Sequence, residues 1–312
     1  MKKRCLPDHT AFLILLLLLC PENPKAAASV DLTVTHRARS LQPGEIVLLV
    51  VDSSQKLGRL KAVVFGHEFP LFATGDELKW TGLVGIDLDT KPGRYVVRLS
   101  GEDAAGAPAT AQYALTVTAK KFPTRELTVD EKFVSPPPEA QARIKLESEK
   151  VRAIFEVVSR ERYWSGPFRV PVPGSPISEF GKRSVYNGQP RSPHAGTDFR
   201  GATGTPIVAP NAGTIVLAAN LYYSGNTVII DHGLGLYSYF GHMSAFSVRQ
   251  GDRVTTGQVV GKVGATGLVT GPHLHWSVRL VGTRVDPLSL INLLGKPIVF
   301  QDDTPRKKKS VM

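Results

Sequence analysis

Apolar and polar residues alternate along several short stretches of this chain: Val30-Asp31-Leu32-Thr33-Val34, Glu45 to Val51, Leu60 to Phe65, Arg94 to Leu99 and Tyr113 to Val117. Successive side chains of a strand point to opposite faces, so a period of two predicts strands with one buried face. Clusters of Gly, Pro and Asp between these runs supply turns. The period changes after Ser135-Pro136-Pro137-Pro138: from Glu139 to Ser159, the residues Ile144, Val151, Ile154, Phe155 and Val158 fall on one side of a helix. A Pro- and Gly-rich stretch, Trp164 to Pro176, then leads into further short strands. These are expected at Pro206 to Ala209, Thr214 to Ala218, Thr227 to Asp231, Leu236 to Phe240, Val259 to Val263 and His275 to Leu280.

The pattern predicts a mainly β protein in two units. Residues 29–119 read as an N-terminal immunoglobulin-like β-sandwich without an inter-sheet disulfide, and 120–177 as a linker carrying the amphipathic helix. Residues 178–298 read as a second, antiparallel β domain. The remaining 299–312, with Arg306-Lys307-Lys308-Lys309, form a basic tail in which solvation is the ordinary fate of the charges.

The N-terminus changes the picture of where the protein works. Lys2, Lys3 and Arg4 precede the apolar run Ala11 to Leu19, and Ala26-Ala27-Ala28 offers small residues for cleavage, so 1–28 read as a secretory signal peptide. The apolar run is shorter than the roughly 20 residues of a spanning helix, and no transmembrane segment is expected after processing. The expected location is periplasmic or extracellular, associated with the cell wall. Leu17-Leu18-Leu19-Cys20 resembles a lipobox, but Leu19 stands where a small residue is usual, which ranks lipoprotein anchoring second. Cys5 and Cys20 are the chain's 2 cysteines, so the mature protein would hold no thiol or disulfide. A formal charge of +11 favours anionic surroundings such as wall polymers, and export argues against a nucleic-acid partner.

The candidate chemistry lies in two short segments, His194-Ala195-Gly196-Thr197-Asp198 and Gly271-Pro272-His273-Leu274-His275-Trp276. Imidazole and carboxylate groups are zinc ligands, and a catalytic zinc takes three protein ligands and keeps one position for water. Leu274, Trp276, Val278 and Leu280 alternate with His273, His275, Ser277 and Arg279, so both histidines project from one face of a strand and can reach one ion. Pro193 and Gly196 place His194 and Asp198 in a loop or irregular strand, which excludes the helical His-Glu-x-x-His arrangement. His242, in Tyr239-Phe240-Gly241-His242-Met243-Ser244, adds a third imidazole.

In this order, His-x-Gly-x-Asp, Tyr-x-x-His-x-Ser and the run Gly264 to Trp276 resemble the lysostaphin or LytM-type zinc endopeptidases, which cut peptide bridges in bacterial peptidoglycan. The likeness spans about 178 to 290. It implies Zn2+ as cofactor, His194, Asp198 and His275 as metal ligands, and His242 and His273 as catalytic imidazoles beside the metal. It also implies the duplicated hybrid motif, an antiparallel sheet crossed by a groove, and peptidoglycan peptide stems or bridges as substrate. Met243 stands where the family commonly has Leu, and Trp276 where it commonly has Phe; both bear on groove shape rather than on metal chemistry. In such a site zinc polarises the scissile carbonyl and lowers the pKa of water from about 15.7 to roughly 7. His242 and His273 then share the roles of proton carrier and oxyanion donor, in an order the residues leave open.

The resemblance also implies an alternative, a catalytically silent wall-bound regulator or scaffold of other hydrolases, as known among relatives that have lost ligands. The presence of all five positions favours the enzyme. Gly251 to Gln258 resembles the hairpin of biotin and lipoyl carriers, but Lys262 sits inside a Gly-flanked strand and not at a hairpin tip, which excludes a carrier. His232, where an apolar strand meets Gly233 and Gly235, reads as a surface turn residue. His36 and His67 belong to the first domain and His9 to the leader. Arg183 and Tyr186 are weighed equally as groove or ordinary loop residues.

Overall fold

The period-two runs of residues 30–117 form one continuous sheet. The computed structural model describes residues 30–128 and 134–295, so the leader, both cysteines and the basic tail lie outside the described residues. The first sheet contains β1 (Leu32–Ala38), β2 (Ile46–Ser53), β3 (Leu57–Val64), β4 (His67–Thr74), β5 (Asp76–Gly85), β6 (Gly93–Asp103) and β7 (Pro108–Val117). They lie in the order β1-β2-β5-β4-β3-β6-β7, every pair antiparallel. That is the strand order of a constant-type immunoglobulin sandwich, in which the strands divide between two sheets. Here β3 and β4 also pair, from Leu60 opposite Leu71 to Val64 opposite His67, so the two halves are one sheet. The sheet curls until Val30 bridges Ala109 of β7.

β4 and β5 are absent from the predicted strands for definite reasons. Pro70 interrupts β4, although Phe69 and Leu71 beside it are buried. In β5 the second half, Trp80 to Gly85, is buried on both faces and loses the alternation.

The linker is more structured than its composition suggests. It holds β8 (Thr124–Leu127) and α1 (Pro138–Glu156). Proline precedes the first turn, where its missing N–H is not needed, and Val157 ends the helix in an extended conformation. Phe155 is buried and Ile144, Val151 and Ile154 half-buried, whereas Val158, expected on the same stripe, lies beyond the helix and is exposed. The stretch after it is a strap held by both halves of the molecule. Trp164 meets Phe72 of β4 edge-on at 6.0 Å, and Phe168 meets the His232 ring at 5.3 Å.

The second half adds β9 (Pro176–Ser178), β10 (Arg183–Tyr186), β11 (Gln189–Pro190), β12 (Thr197–Arg200), β13 (Pro206–Val208), β14 (Gly213–Leu221) and β15 (Gly225–Asp231). β16 (Leu236–Phe246), β17 (Arg253–Val254), β18 (Val259–Val263), β19 (His273–Leu280), β20 (Thr283–Val285) and α2 (Pro287–Leu294) complete it. Ten of these strands share a sheet whose central path runs β17-β14-β15-β16-β19-β12-β9, with β13, β18 and β20 attached at its side. A separate small sheet, β11-β10-β8, includes the linker strand, paired parallel to β10.

The two halves are fastened through β20 and α2. Arg39 bridges Glu45 and Asp286 with Nη2–O distances of 2.7 and 2.6 Å, and Asp286 also caps α2 by accepting from the Leu288 N–H. Arg284 contacts Asp87 at 2.6 Å and Asp89 at 2.7 Å. One apolar core runs from Ile46 and Val84 through to Val285 and Leu290. Among the described residues no helix is long and apolar enough to cross a membrane.

Candidate metal centre

Asp198 of β12 lies directly opposite His275 of β19 in the antiparallel register, so the two side chains share a face. His194 reaches the same point from the loop before β12. Its N–H donates to Lys182 O, its carbonyl accepts from the Gly181 N–H, and the Ser277 hydroxyl donates to Ala195 O in the same loop. Gly196 is required by close approach: a Cβ there would stand 2.6 Å from His275 Cε1.

His194 Nε2 is 3.0 Å from Asp198 Oδ1 and 3.0 Å from His275 Nδ1, and His275 Nδ1 is 2.9 Å from Asp198 Oδ1. His194 Nδ1 lies 3.0 Å from Glu179 O, and a carbonyl only accepts, so this nitrogen carries the proton. In the neutral ring, Nε2 is therefore an acceptor aimed at another acceptor, the carboxylate. The triangle lacks positive charge at its centre. A cation would supply it, and a donor set of two imidazoles, one carboxylate and no sulfur fits zinc. The protonation behaviour points the same way: burial lowers the His194 pKa, but the hydrogen bond and charge of Asp198 outweigh it and raise the value. Burial favours the protonated acid at Asp198, yet its two imidazole partners hold the carboxyl well below the usual range. His275 is shifted down, by burial first.

His242 and His273 flank the triangle. Their rings are 4.8 Å apart, the His242 ring is 6.1 Å from that of His275, and His273 Nε2 lies 3.8 Å from Asp198 Oδ1. His242 Nδ1 donates to Thr266 O and His273 Nδ1 to Gly271 O, both at 2.9 Å, which leaves each Nε2 free to accept a proton. Burial and the neighbouring His275 push the His242 pKa down to about 4, so its ring is neutral near pH 7. His242 holds a left-handed φ of 64°, an uncommon conformation for a bulky residue, with its N–H bonded to Ser224 O at 2.7 Å. All five residues singled out in the sequence thus meet at one point.

The point lies on the floor of an open groove of about 810 Å³. One wall comes from the small sheet, with Arg125 and Leu127 of β8 and Tyr186 of β10; the other from Tyr223, Leu268 and Val269. Tyr186 is therefore a groove residue, and Arg183 does not line the groove. Arg125 and Leu127 carry no sequence signal, because a parallel pairing between linker and domain is invisible in local patterning. Tyr239 is a third residue to which the pattern assigns no role. Its hydroxyl donates to Ser224 Oγ at 2.5 Å, and its ring meets His275 edge-on at 6.1 Å.

His232 corrects an expectation. It is a fully buried residue and not a surface turn. Nδ1 donates to Ala212 O at 2.8 Å and Nε2 faces Ser238 Oγ at 2.9 Å, so neither nitrogen is available to a metal.

Residues 192–287 match peptidase family M23. Over 117 residues the chain is 38% identical to the peptidoglycan DD-endopeptidase ShyA of Vibrio cholerae, covering 38% of this chain and 26% of that protein. Over 110 residues it is 42% identical to the DD-carboxypeptidase/endopeptidase Mpg of Neisseria meningitidis, covering 35% and 25%. The chain thus spans about a quarter of the length of these curated relatives. A crystal structure from Pseudomonas aeruginosa, described as that of a "putative peptidase M23", superposes with a TM-score of 0.64 at 33% identity, covering 81% of this chain and 96% of the other. With a likeness of that extent joined to the convergent His-Asp-His cluster, this chain belongs to peptidase family M23.

Proposed function

We propose that the protein is an exported zinc metalloendopeptidase that hydrolyses peptide cross-links of peptidoglycan. The observation that carries this reading is the meeting of three donor atoms 2.9–3.0 Å apart on a groove floor, flanked by two imidazoles that line the same groove. His194, Asp198 and His275 would hold the ion, which supplies polarisation of the scissile carbonyl and a lowered water pKa. The chain's own groups do the rest. A neutral His242 takes a proton on Nε2 and returns it to the leaving amine, while its Nδ1–H stays on Thr266 O. His273, held by Gly271 O, is the second imidazole within reach and donates to the developing oxyanion when protonated.

The names of the relatives favour a D,D-type cross-link as the bond cut. Export rests on the leader of residues 1–28, and the first sheet serves as an immunoglobulin-like module that either binds the wall or controls access to the groove. Purified mature protein and its His275→Ala variant, incubated with isolated sacculi with and without zinc, test the reading. Zinc-dependent loss of cross-linked muropeptide dimers by the unaltered protein alone is expected, and mass spectrometry identifies the bond. Binding of zinc and sacculi without any cleavage would replace the enzyme with the silent wall-bound regulator.

A further inference from the structure

A second cavity, of about 550 Å³, lies beneath α1 on the face of β19 that carries the site histidines. Its walls are mostly apolar: Ile144, Val151 and Phe155 of α1 and Leu221 of β14, with Tyr239 and Ser224 shared with the groove. Arg279 also lines it. Register places Arg279 directly opposite Arg284 of β20, so two guanidinium groups stand on one face, an unfavourable pairing unless each finds an anion. Arg284 has two, Asp87 and Asp89. Arg279 has no ion pair among the described residues: its Nη1 is buried without a hydrogen-bond partner, Asp87 acts on it only through space, and its guanidinium carbon lies 5.4 Å from the Phe155 ring.

The acidic residues that line the cavity do not supply the missing partner. Glu147 accepts from Arg143 Nε at 2.6 Å and from the Tyr222 N–H at 2.7 Å, and Glu156 stands exposed at the rim, 3.8 Å from Arg152. Burial and the neighbouring Arg284 push the Arg279 pKa down to about 10, which still leaves it charged at neutral pH. A guanidinium whose Nη1 is buried and unpaired is costly to maintain. A guanidinium fork matches a carboxylate with two parallel hydrogen bonds, and the volume is that of a small-molecule site.

We propose that this cavity binds a carboxylate carried on an apolar body, with the carboxylate on Arg279 and the body against Phe155, Val151 and Ile144. A bare inorganic anion would leave the apolar walls unfilled. The site adjoins the groove through Tyr223, Ser224 and Tyr239 but contains none of the five metal-centre residues, and it does not depend on what the groove cleaves.

Calorimetric titration of the zinc-loaded protein with hexanoate, hexanamide and inorganic sulfate tests this. Hexanoate is expected to bind with a Kd of roughly 1 mM, and the neutral amide and sulfate at least tenfold more weakly. Arg279→Met should lose hexanoate binding at least tenfold. Ser148→Trp, which fills the mouth from an exposed position on α1, should do the same without touching the buried guanidinium and serves if the first variant misfolds. The proposal is overturned if hexanoate fails to bind up to about 50 mM or if sulfate binds as tightly. It is also overturned if binding survives both variants, and loss in His275→Ala would then show a carboxylate seated on the metal.

Discussion

The two sides of β19 carry histidine systems of opposite design. Behind the strand, Trp276 Nε1–H donates to Ser238 Oγ at 3.3 Å, the Ser238 hydroxyl donates to His232 Nε2 at 2.9 Å, and His232 Nδ1–H donates to Ala212 O at 2.8 Å. Each donor has an acceptor and the chain is closed. In front, His194, Asp198 and His275 turn their ligand atoms toward one another and leave a shared demand for positive charge. Closure therefore marks a histidine that holds the fold, and convergence marks one suited to hold a ligand. The first should be sensitive in stability and the second in chemistry.

The largest expected effect is at the convergent site. His275→Ala should lower zinc affinity and cross-link hydrolysis by more than the roughly 10- to 100-fold that loss of an outer-shell partner costs a metal site. Thermal denaturation of the metal-free protein should change little, because the front cluster is not satisfied without an ion. A variant that loses stability and keeps zinc would break the distinction. Next comes Gly196→Ala, whose Cβ would press on His275 Cε1 from 2.6 Å. Displacing a ligand by a few tenths of an ångström up to 1 Å should cost up to about 100-fold in kcat while the protein still folds. Circular dichroism with steady-state kinetics on a muropeptide dimer checks both halves.

Behind the strand the order reverses. His232→Leu removes the partner of Ser238 and of Ala212 O in a fully buried position, and should destabilise by roughly 1–3 kcal/mol for the unsatisfied groups. Turnover per folded molecule should remain within about twofold. Urea unfolding beside activity normalised to folded protein measures this, and a selective loss of turnover would mean that the back of β19 feeds the front.

The difference between the two systems also explains what could be read before the structure. Period-two alternation and the spacing of His194, Asp198, His242, His273 and His275 are local properties, and all five residues meet at one point. The parts that stayed hidden depend on partners distant in the chain. Glu179 O, Thr266 O and Gly271 O fix three imidazole tautomers, and a backbone carbonyl has no sequence signature. Arg125 joins the groove through a parallel pairing with β10. At His232, Gly233 and Gly235 suggest an exposed turn, whereas Phe168 and the strap that carries it cover the ring. In β5, burial on both faces erased the very alternation by which a strand is recognised.

The effect that is smallest near neutral pH is the pH dependence. Burial lowers the His232 pKa to about 4, and protonating Nε2 would also break its bond with Ser238, while the unfolded chain titrates near 6.5. The folded-state value is the lower one, so between those limits the unfolded state binds the extra proton. The contribution is complete above about pH 6.5, declines as pH falls through that window, and stops changing below about 4, where both states are protonated. The full span is on the order of 3 kcal/mol, most of it reached only near its acid end. Other histidines of the chain also titrate, so the measurement is the difference between the unaltered protein and His232→Gln, which keeps a polar side chain and cannot titrate. The unaltered protein should lose its advantage between pH 6.5 and 4, and a difference that stays constant across that window would show that the closed chain tolerates a charge at its centre.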